Sequence, residues 1–494
     1  MAKHLNVLFL SSEVEPFAKT GGLADVSGAL PQTIKNLEHE IRVMMPCYGC
    51  IDERKSKLHD MIRLKDIPVQ VGTKTYQASV KSSFISSNHS KVQVYFLDNP
   101  SLFGRPGLYV QPETHKDYPD NDERFTFFSR GVLEVLKKMG WQPDIIHCND
   151  WTTGLVPAYL KTVYRDDPFY RDTKTVFTIH NMAYQGTFPK SSFPKTCLPP
   201  ELLSEKGLEA HGKMNLLKSG LVFSDAITTV SEKYAEEIRT SDEYGCGLQD
   251  IADKRKSDLT GIINGIDYNV WNPTVDELIP HRYDFRTIEL KKENKKALLD
   301  RMGLPLKDGI PLIGIISRLA DQKGFDLISE SLDAIMKMNL QMVVLGTGER
   351  KYHDMLGKAA KKYPAKIGVE LSFNEKLAHL IEAGSDMFLM PSLYEPCGLN
   401  QLYSLKYGTV PIVRATGGLD DTIEDYHPSS GNGTGFKFNR YESAEMLKAI
   451  QRAVQTFADE ATWKKIIKHG MSKDFSWESS ARKYIRLYRS LVRK

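Results

Sequence analysis

The chain has 494 residues, enough for two or three domains of the usual ~100–200 residues, and its 41% hydrophobic and 26% charged residues leave no low-complexity or disordered tract to set aside. A net charge of +4 over that length argues against nucleic acid or an anionic membrane surface as the main partner. No apolar stretch reaches the ~18 residues of a spanning helix, and the apolar run Val7 to Leu10 is too short for a signal peptide, so a cytoplasmic location is expected.

In chain order, a strand at NVLFL (from residue 6) runs into EVEPFAKTGGLADVSGALP (13 to 31). There Gly21 and Gly22 open a helix whose Leu23, Val26, Leu30, Ile34 and Leu37 form one stripe, with a bend expected at Pro31. Strands follow at IRVMMP (41), VQVYFL (92), DIIHC (144), TVFTIH (175), AITTV (226) and GIING (261), with helical patterns between them. CYGC at 47 to 50 has the form of CxxC, but no second pair completes a zinc site, and six scattered cysteines (Cys47, Cys50, Cys148, Cys197, Cys246, Cys397) fit reduced thiols. DND at 120 to 122 has the form of DxD, yet it opens the helical ERFTFFSRGVLEVL, so capping and dipole complementarity account for it and no metal is expected.

A second series begins at LIGIISR (312) and continues with MVVLG (342), MFLMPS (387), TVPIV (409) and GFKF (435). The segment YDFRTIELKKENKKALLDRMGLP between the series is charged and helix-prone, and two amphipathic helical patterns follow the last strand. The expected fold is therefore α/β, two Rossmann-like doubly wound domains with parallel sheets covered on both faces. Its expected parts are residues 1–280, a linker at 281–310, a second domain at 311–475 and a terminal helix at 476–494.

Open parallel sheets bind ligands beyond the carboxyl ends of their strands. The residues that follow these strands are Asp150, His180, Asn264, Arg318 with Lys323, the GTG containing Gly346, and Glu395 leading into Gly398, Leu399 and Asn400. Each has a bland explanation alone: His180 as a core histidine, Asp150 as a helix cap, Arg318 and Lys323 as solvated charges. Structural needs alone would not gather all of them at one end of the strands. Helix N-termini hold anions and glycine lets a phosphate approach closely, while Lys19, Arg318 and Lys323 add full charges. The set suits loss of a diphosphate leaving group.

KTGGLADV (19 to 26), VFTIHNMAYQG (176 to 186), INGID (263 to 267), SRLADQKGFDL (317 to 327) and PSLYEPCGLNQLYSLKYGTVPIVRATGGLDDT (391 to 422) resemble bacterial glycogen synthases and plant starch synthases. The resemblance spans the first strand to the terminal DFSW region. It implies an active site in an interdomain cleft that closes on binding, a terminal helix crossing back to the N-terminal domain, and transfer of glucose, with retention, from ADP-glucose to an α-1,4-glucan. It implies Lys19, Gly22, Asn264, Gly346, Gly398, Leu399 and Asn400 on the donor side, with Phe373 stacking on the base. Arg318 and Lys323 would neutralise the departing diphosphate, Glu395 would hold sugar hydroxyls and His180 would lie beside the transferred glucose. Asp150 joins this catalytic set, and Tyr109 and Asp25 fall to the acceptor or sugar side.

Neither a cofactor nor a metal is expected, and the partners are the nucleotide sugar and the glucan, with oligomeric state open. Retention by double displacement needs a carboxylate nucleophile, and none declares itself, which favours front-face transfer. The chain departs from the family pattern at Thr152, Phe373, Asn400 and Asp420, which puts donor affinity in question. Related transferases acting on small acceptors often carry a second glutamate eight positions after the first, and Tyr403 stands there. A catalytically silent glucan scaffold would not need Lys19, His180, Arg318, Lys323 and Glu395 together, nor would a nucleotide-sugar epimerase need the acceptor motifs.

Overall fold

The computed structural model describes residues 4–86 and 90–492. The chain divides into two units, the first made of Met1–Val230, Ala235–Gly265 and Trp477–Lys494 and the second of Ser231–Tyr234 and Ile266–Ser476.

The first unit is built on β1 (Asn6–Leu10), β2 (Glu40–Pro46), β3 (Lys74–Ser86), β4 (Lys91–Asp98), β5 (Ile145–Asn149), β6 (Lys174–Ile179), β7 (Ala226–Thr229) and β8 (Leu259–Gly261). They lie in the order β8-β7-β6-β5-β1-β2-β4-β3, with His59–Asp60 beyond β3. Every pairing from β8 to β4 is parallel. These strands are short apolar runs because both their faces are covered, and β5 is buried at every residue. The sheet is not wholly parallel as expected: β3 runs antiparallel to β4 and pairs antiparallel with Ile67–Val71 and His59–Asp60. The latter part of β3 alternates buried and more exposed residues, the pattern of a strand with one wet face. A small antiparallel sheet of Thr187–Pro189, Glu209–Ala210 and Lys213–Asn215 lies apart from the main one.

Helix α1 (Gly22–Asn36) runs through Pro31 and buries Leu23, Val26, Leu30 and Ile34. The terminal helix, Trp477–Val492, packs against it and buries Trp477, Ala481, Tyr484, Ile485 and Tyr488. Ser480 Oγ donates to the carbonyl of Ile263 at 2.6 Å, and the Tyr488 hydroxyl meets His147 Nδ1 at 2.6 Å. Burial pushes the His147 ring down to about 3, so it is a neutral core histidine.

The second unit holds β9 (Leu312–Ile316), β10 (Gln341–Leu345), β11 (Ile367–Glu370), β12 (Met387–Met390), β13 (Val410–Arg414) and β14 (Phe436–Phe438), in the order β11-β10-β9-β12-β13-β14 and parallel throughout. Strand order reverses between β1 and β5 in the first unit and between β9 and β12 in the second. Those two switch points are where crevices open.

The division falls at Gly265, ahead of the 281–310 segment read as a linker. Residues after 265 pack on the second unit. Trp271 stacks between His379 and Tyr403, with centroids 3.8 and 4.0 Å away, and the Tyr283 hydroxyl donates to the carbonyl of Tyr407 at 2.8 Å. Lys291 opens α3 (Lys291–Met302) and is buried, its Nζ donating to the carbonyls of Glu382 and Ala383 and to Thr409 Oγ1 at 3.0, 2.9 and 2.7 Å. Burial pushes that ammonium down to about 7. In sequence it reads as one more solvated lysine.

Candidate active site

At the first switch point, β1 is followed by Ser11, Ser12 and Glu13, and the chain returns through Lys19 to Gly22 into α1. Glu13 is only 4% exposed. Its Oε2 accepts from the amides of Thr20 and Gly21, at 2.5 and 3.1 Å, and its Oε1 from Thr20 Oγ1 and the Tyr109 hydroxyl, at 2.6 and 2.8 Å. Tyr109 also meets Ser12 Oγ at 2.6 Å, and its carbonyl accepts from Asn121 Nδ2 at 2.9 Å. Burial, reinforced by the Glu13 charge, raises the Tyr109 phenol well above its ordinary range, so it is a neutral hydroxyl. Sequence reading passes over Glu13, which looks like a solvated loop acid. The adjacent pair of serines at the strand end is the one local hint.

Lys19 Nζ lies 2.6 Å from Asp25 Oδ1 and 3.8 Å from Glu15 Oε2. Asp25 is therefore the counter-ion of Lys19 here. A Cβ placed on Gly21 or Gly22 would meet nothing within 4 Å. Packing does not demand glycine there.

Across the switch point, Asp150 follows β5 with φ 55° and ψ −178°, a strained conformation for a residue with a side chain. It does not cap the turn at Trp151–Thr153 through its side chain. Instead Asp150 Oδ1 accepts from the amide of His180, at the end of β6, at 2.8 Å. Burial pushes the carboxyl up to about 7, despite the opposing hydrogen bond from the His180 amide, with Glu13 adding like charge. His180 Nε2 meets Asn149 Oδ1 at 2.9 Å, and Asn149 Nδ2 donates to the Leu10 carbonyl at 2.8 Å. That amide orientation makes Nε2 the protonated nitrogen. Burial pushes the ring down to about 3, so His180 is a neutral donor. Thr152, where family members often have histidine, is buried and donates to Ser12 Oγ at 3.1 Å. Asn264, beyond β8, is 6% exposed, and its Oδ1 has no hydrogen-bond partner among the described residues.

At the second switch point, a cavity of about 230 Å³ is lined by Ser317, Arg318, Lys323, Glu395, Leu399 and Asn400, among others. Glu395 is 7% exposed; its Oε2 lies 2.6 Å from Lys323 Nζ and accepts from Ser392 Oγ at 3.1 Å. Arg318 is exposed and donates through Nη2 to Gln322 Oε1 at 3.1 Å. Gly398, at φ 71°, turns the chain into α4 (Asn400–Tyr407), whose first amides lack intrahelical acceptors. Asn400 Nδ2 donates to the carbonyl of Ile316 at 2.6 Å, tying that helix start to the end of β9.

Gly346 and Phe373 are not among the residues lining this cavity. A Cβ on Gly346 would sit 1.9 Å from the Ser317 carbonyl, so close backbone packing accounts for that glycine. Phe373 is 90% exposed and presents a bare ring. Asp420 is paired with Lys437 Nζ at 2.6 Å. The second glycine pair differs from the first: a Cβ on Gly417 would lie 2.1 Å from the Glu395 carbonyl, and one on Gly418 2.0 Å from the Cys397 carbonyl.

The DND carboxylates are engaged elsewhere, though not as side-chain caps. Asp120 takes both Nη1 and Nη2 of Arg105, at 2.7 and 2.6 Å, and Asp122 pairs with Lys195 at 2.7 Å, at the start of α2 (Asn121–Met139). Burial pushes Cys47 of the CYGC stretch up to about 12, and Cys50 is exposed; both are free thiols. Among the described residues no helix is long and apolar enough to cross a membrane.

A model of the starch synthase catalytic domain matches residues 6–254, and one of glycosyl transferases group 1 matches residues 299–469. The chain is 45% identical to a glycogen synthase of Koribacter versatilis, over 98% of each chain, and 46% identical to one of Geotalea daltonii, over 99% of each. It is also similar to the solved catalytic domain of Starch Synthase IV from Arabidopsis thaliana bound to ADP and acarbose, with a TM-score of 0.89 and 31% identity over the whole of both chains.

Proposed function

Because the chain belongs to the glycogen and starch synthase family of glycosyltransferases, we propose that it moves glucose, with retention, from ADP-glucose to the non-reducing end of an α-1,4-glucan and releases ADP, in the cytoplasm. The observation that carries this reading is the second switch point, where Arg318, Lys323 and the first amides of α4 surround a cavity with a buried carboxylate at its side.

Charge develops on the leaving diphosphate as the glycosidic bond breaks. Arg318, Lys323 and a helix N-terminus supply positive potential to it without reorganising solvent. Glu395 is restrained by Lys323 and Ser392, which suits it to accept hydrogen bonds from sugar hydroxyls. In the first unit, Lys19 and the open face of Gly22 offer a charge and free amides suited to an anion. Neutral His180, its ring N–H spent on Asn149 Oδ1, contributes its backbone carbonyl, not a cation. In the front-face route the acceptor hydroxyl bonds to the anomeric carbon on the side the diphosphate leaves, and its proton passes to the departing phosphate oxygen. Asp150, its carboxylate oxygen engaged by the His180 amide, steadies positive charge on the sugar without bonding to it.

No divalent ion is needed in this scheme, since the DND carboxylates are occupied by Arg105 and Lys195 and cationic side chains meet the phosphates. The test is product analysis. Maltoheptaose elongated with ADP-glucose is expected to show a new α-anomeric proton in its NMR spectrum. A β-anomeric product, or a glucosyl adduct trapped on Asp150 or Glu395, would contradict the mechanism.

A further inference from the structure

We infer that Glu13 is a positioning residue for the transfer: its carboxylate sets the Thr20–Gly21 turn beside the donor side and, through the same side chain, holds the Tyr109 hydroxyl on the acceptor side. This deepens the reading above and rests on it.

A buried carboxylate is costly unless its lone pairs are filled. Glu13 has no ion-pair partner among the described residues; the nearest lysine in sequence, Lys19, pairs with Asp25 and Glu15 instead. Four donors fill its oxygens: two turn amides, the Thr20 hydroxyl and the Tyr109 hydroxyl. Its own backbone is pinned as well, since Ser11 Oγ donates to the Glu13 carbonyl at 2.6 Å and accepts from the Glu13 amide at 3.2 Å. An apolar residue would fill this space without the desolvation cost. What the carboxylate adds is fixed geometry for groups that lie far apart in sequence.

The arrangement also decides which amides remain for a phosphate. Those of Thr20 and Gly21 are spent on Glu13, so an incoming anion meets Gly22 and Leu23, the first two amides of α1, over an open glycine face. Glu13 thus presents Gly22 by occupying its neighbours.

Glu13→Gln keeps the volume but exchanges one acceptor oxygen for a donor, so it cannot take all four bonds. ADP affinity by calorimetry, KM for ADP-glucose and for maltoheptaose, and Tm are measured on Glu13→Gln, Tyr109→Phe and the natural chain. Loss of one or two such bonds corresponds to about a five- to thirtyfold change. Glu13→Gln is expected to raise the ADP Kd, donor KM and glucan KM by that factor at nearly unchanged Tm, and Tyr109→Phe to raise the glucan KM alone. A merely structural Glu13 would lower Tm and leave the affinities of the folded protein unchanged. A merely repulsive charge would make Glu13→Gln bind ADP more tightly. Either result overturns the inference, as does an unchanged glucan KM in Glu13→Gln. If Glu13→Gln fails to fold, Thr20→Val, which removes only the hydroxyl arm, takes its place: raised donor KM supports the inference and an unchanged one overturns it. A natural chain that neither binds ADP nor transfers glucose would sink the proposed function itself, a different failure.

Discussion

Asp150 and His180 are adjacent in space, and burial shifts their titrations in opposite directions. The Asp150 carboxyl titrates near 7 rather than at its ordinary 3.8, so the folded state binds this proton more tightly than the unfolded one. Its contribution to stability is full below 3.8 and is lost as pH rises towards about 7. The ionised form is the one that steadies positive charge on a sugar, so transfer rate is expected to rise with pH through about 7. Asp150→Asn is expected to lower kcat on the order of a hundredfold, the scale of removing one preorganised electrostatic contact, and to abolish that rise. A variant profile that keeps the rise would assign it to another group. His180 contributes no such step, because its ring stays neutral down to about 3. Asp150 and His180 are legible in the sequence because each is the first polar residue after a buried strand. Glu13 is not, since its partners lie 7, 8 and 96 residues away and only the folded chain brings them together.

The two TGGL phrases, alike in sequence, are different elements. Each opens a helix after a strand, α1 after β1 and Gly417–Thr422 after β13. At Gly21 and Gly22 the space is open, while at Gly417 and Gly418 carbonyls of the Glu395–Cys397 loop fill it. Gly22→Val is therefore expected to fold with nearly natural Tm and lose transfer activity. Gly418→Ala is expected to lose stability by about 1–3 kcal/mol, the usual cost of overpacking, measured by denaturant unfolding. The reverse pattern would show that the first pair is the packed one. Sequence alone leaves these turns undecided, because what separates them is the backbone opposite. Most parallel strands are legible as continuous apolar runs, within a residue or two of their ends, but β11 goes unread and the GIING run overshoots β8, which ends at Gly261. The hairpin over 59–86 escapes because half of its alternation is Ser, Thr and Lys. The 281–310 segment misleads for a related reason: Trp271, Tyr283 and buried Lys291 bind residues after 265 to the second unit, but share no periodicity.

The chain leaves the first unit at Gly265 and returns to it at Trp477. The returning helix is part of that unit's core: Trp477, Tyr484, Ile485 and Tyr488 are buried, and Tyr488 reaches His147 in β5. At ~1.5–3 kcal/mol for each large apolar side chain, their loss rivals the ~5–15 kcal/mol net stability of a typical domain. A chain ending at Ser476 is expected to leave the first unit unfolded, seen as early protease cutting confined to residues before 265; a protease-resistant first unit would contradict that. Glucose transfer from ADP-glucose rests on Arg318, Lys323 and Glu395 around the cavity of the second unit. It is tested most directly by incorporation of labelled glucose into glycogen from ADP-glucose and UDP-glucose in parallel, without added metal, with Glu395→Ala alongside. The expected result is incorporation from ADP-glucose that is lost in the variant. No incorporation from either donor, by folded protein that still binds glucan, would contradict the account.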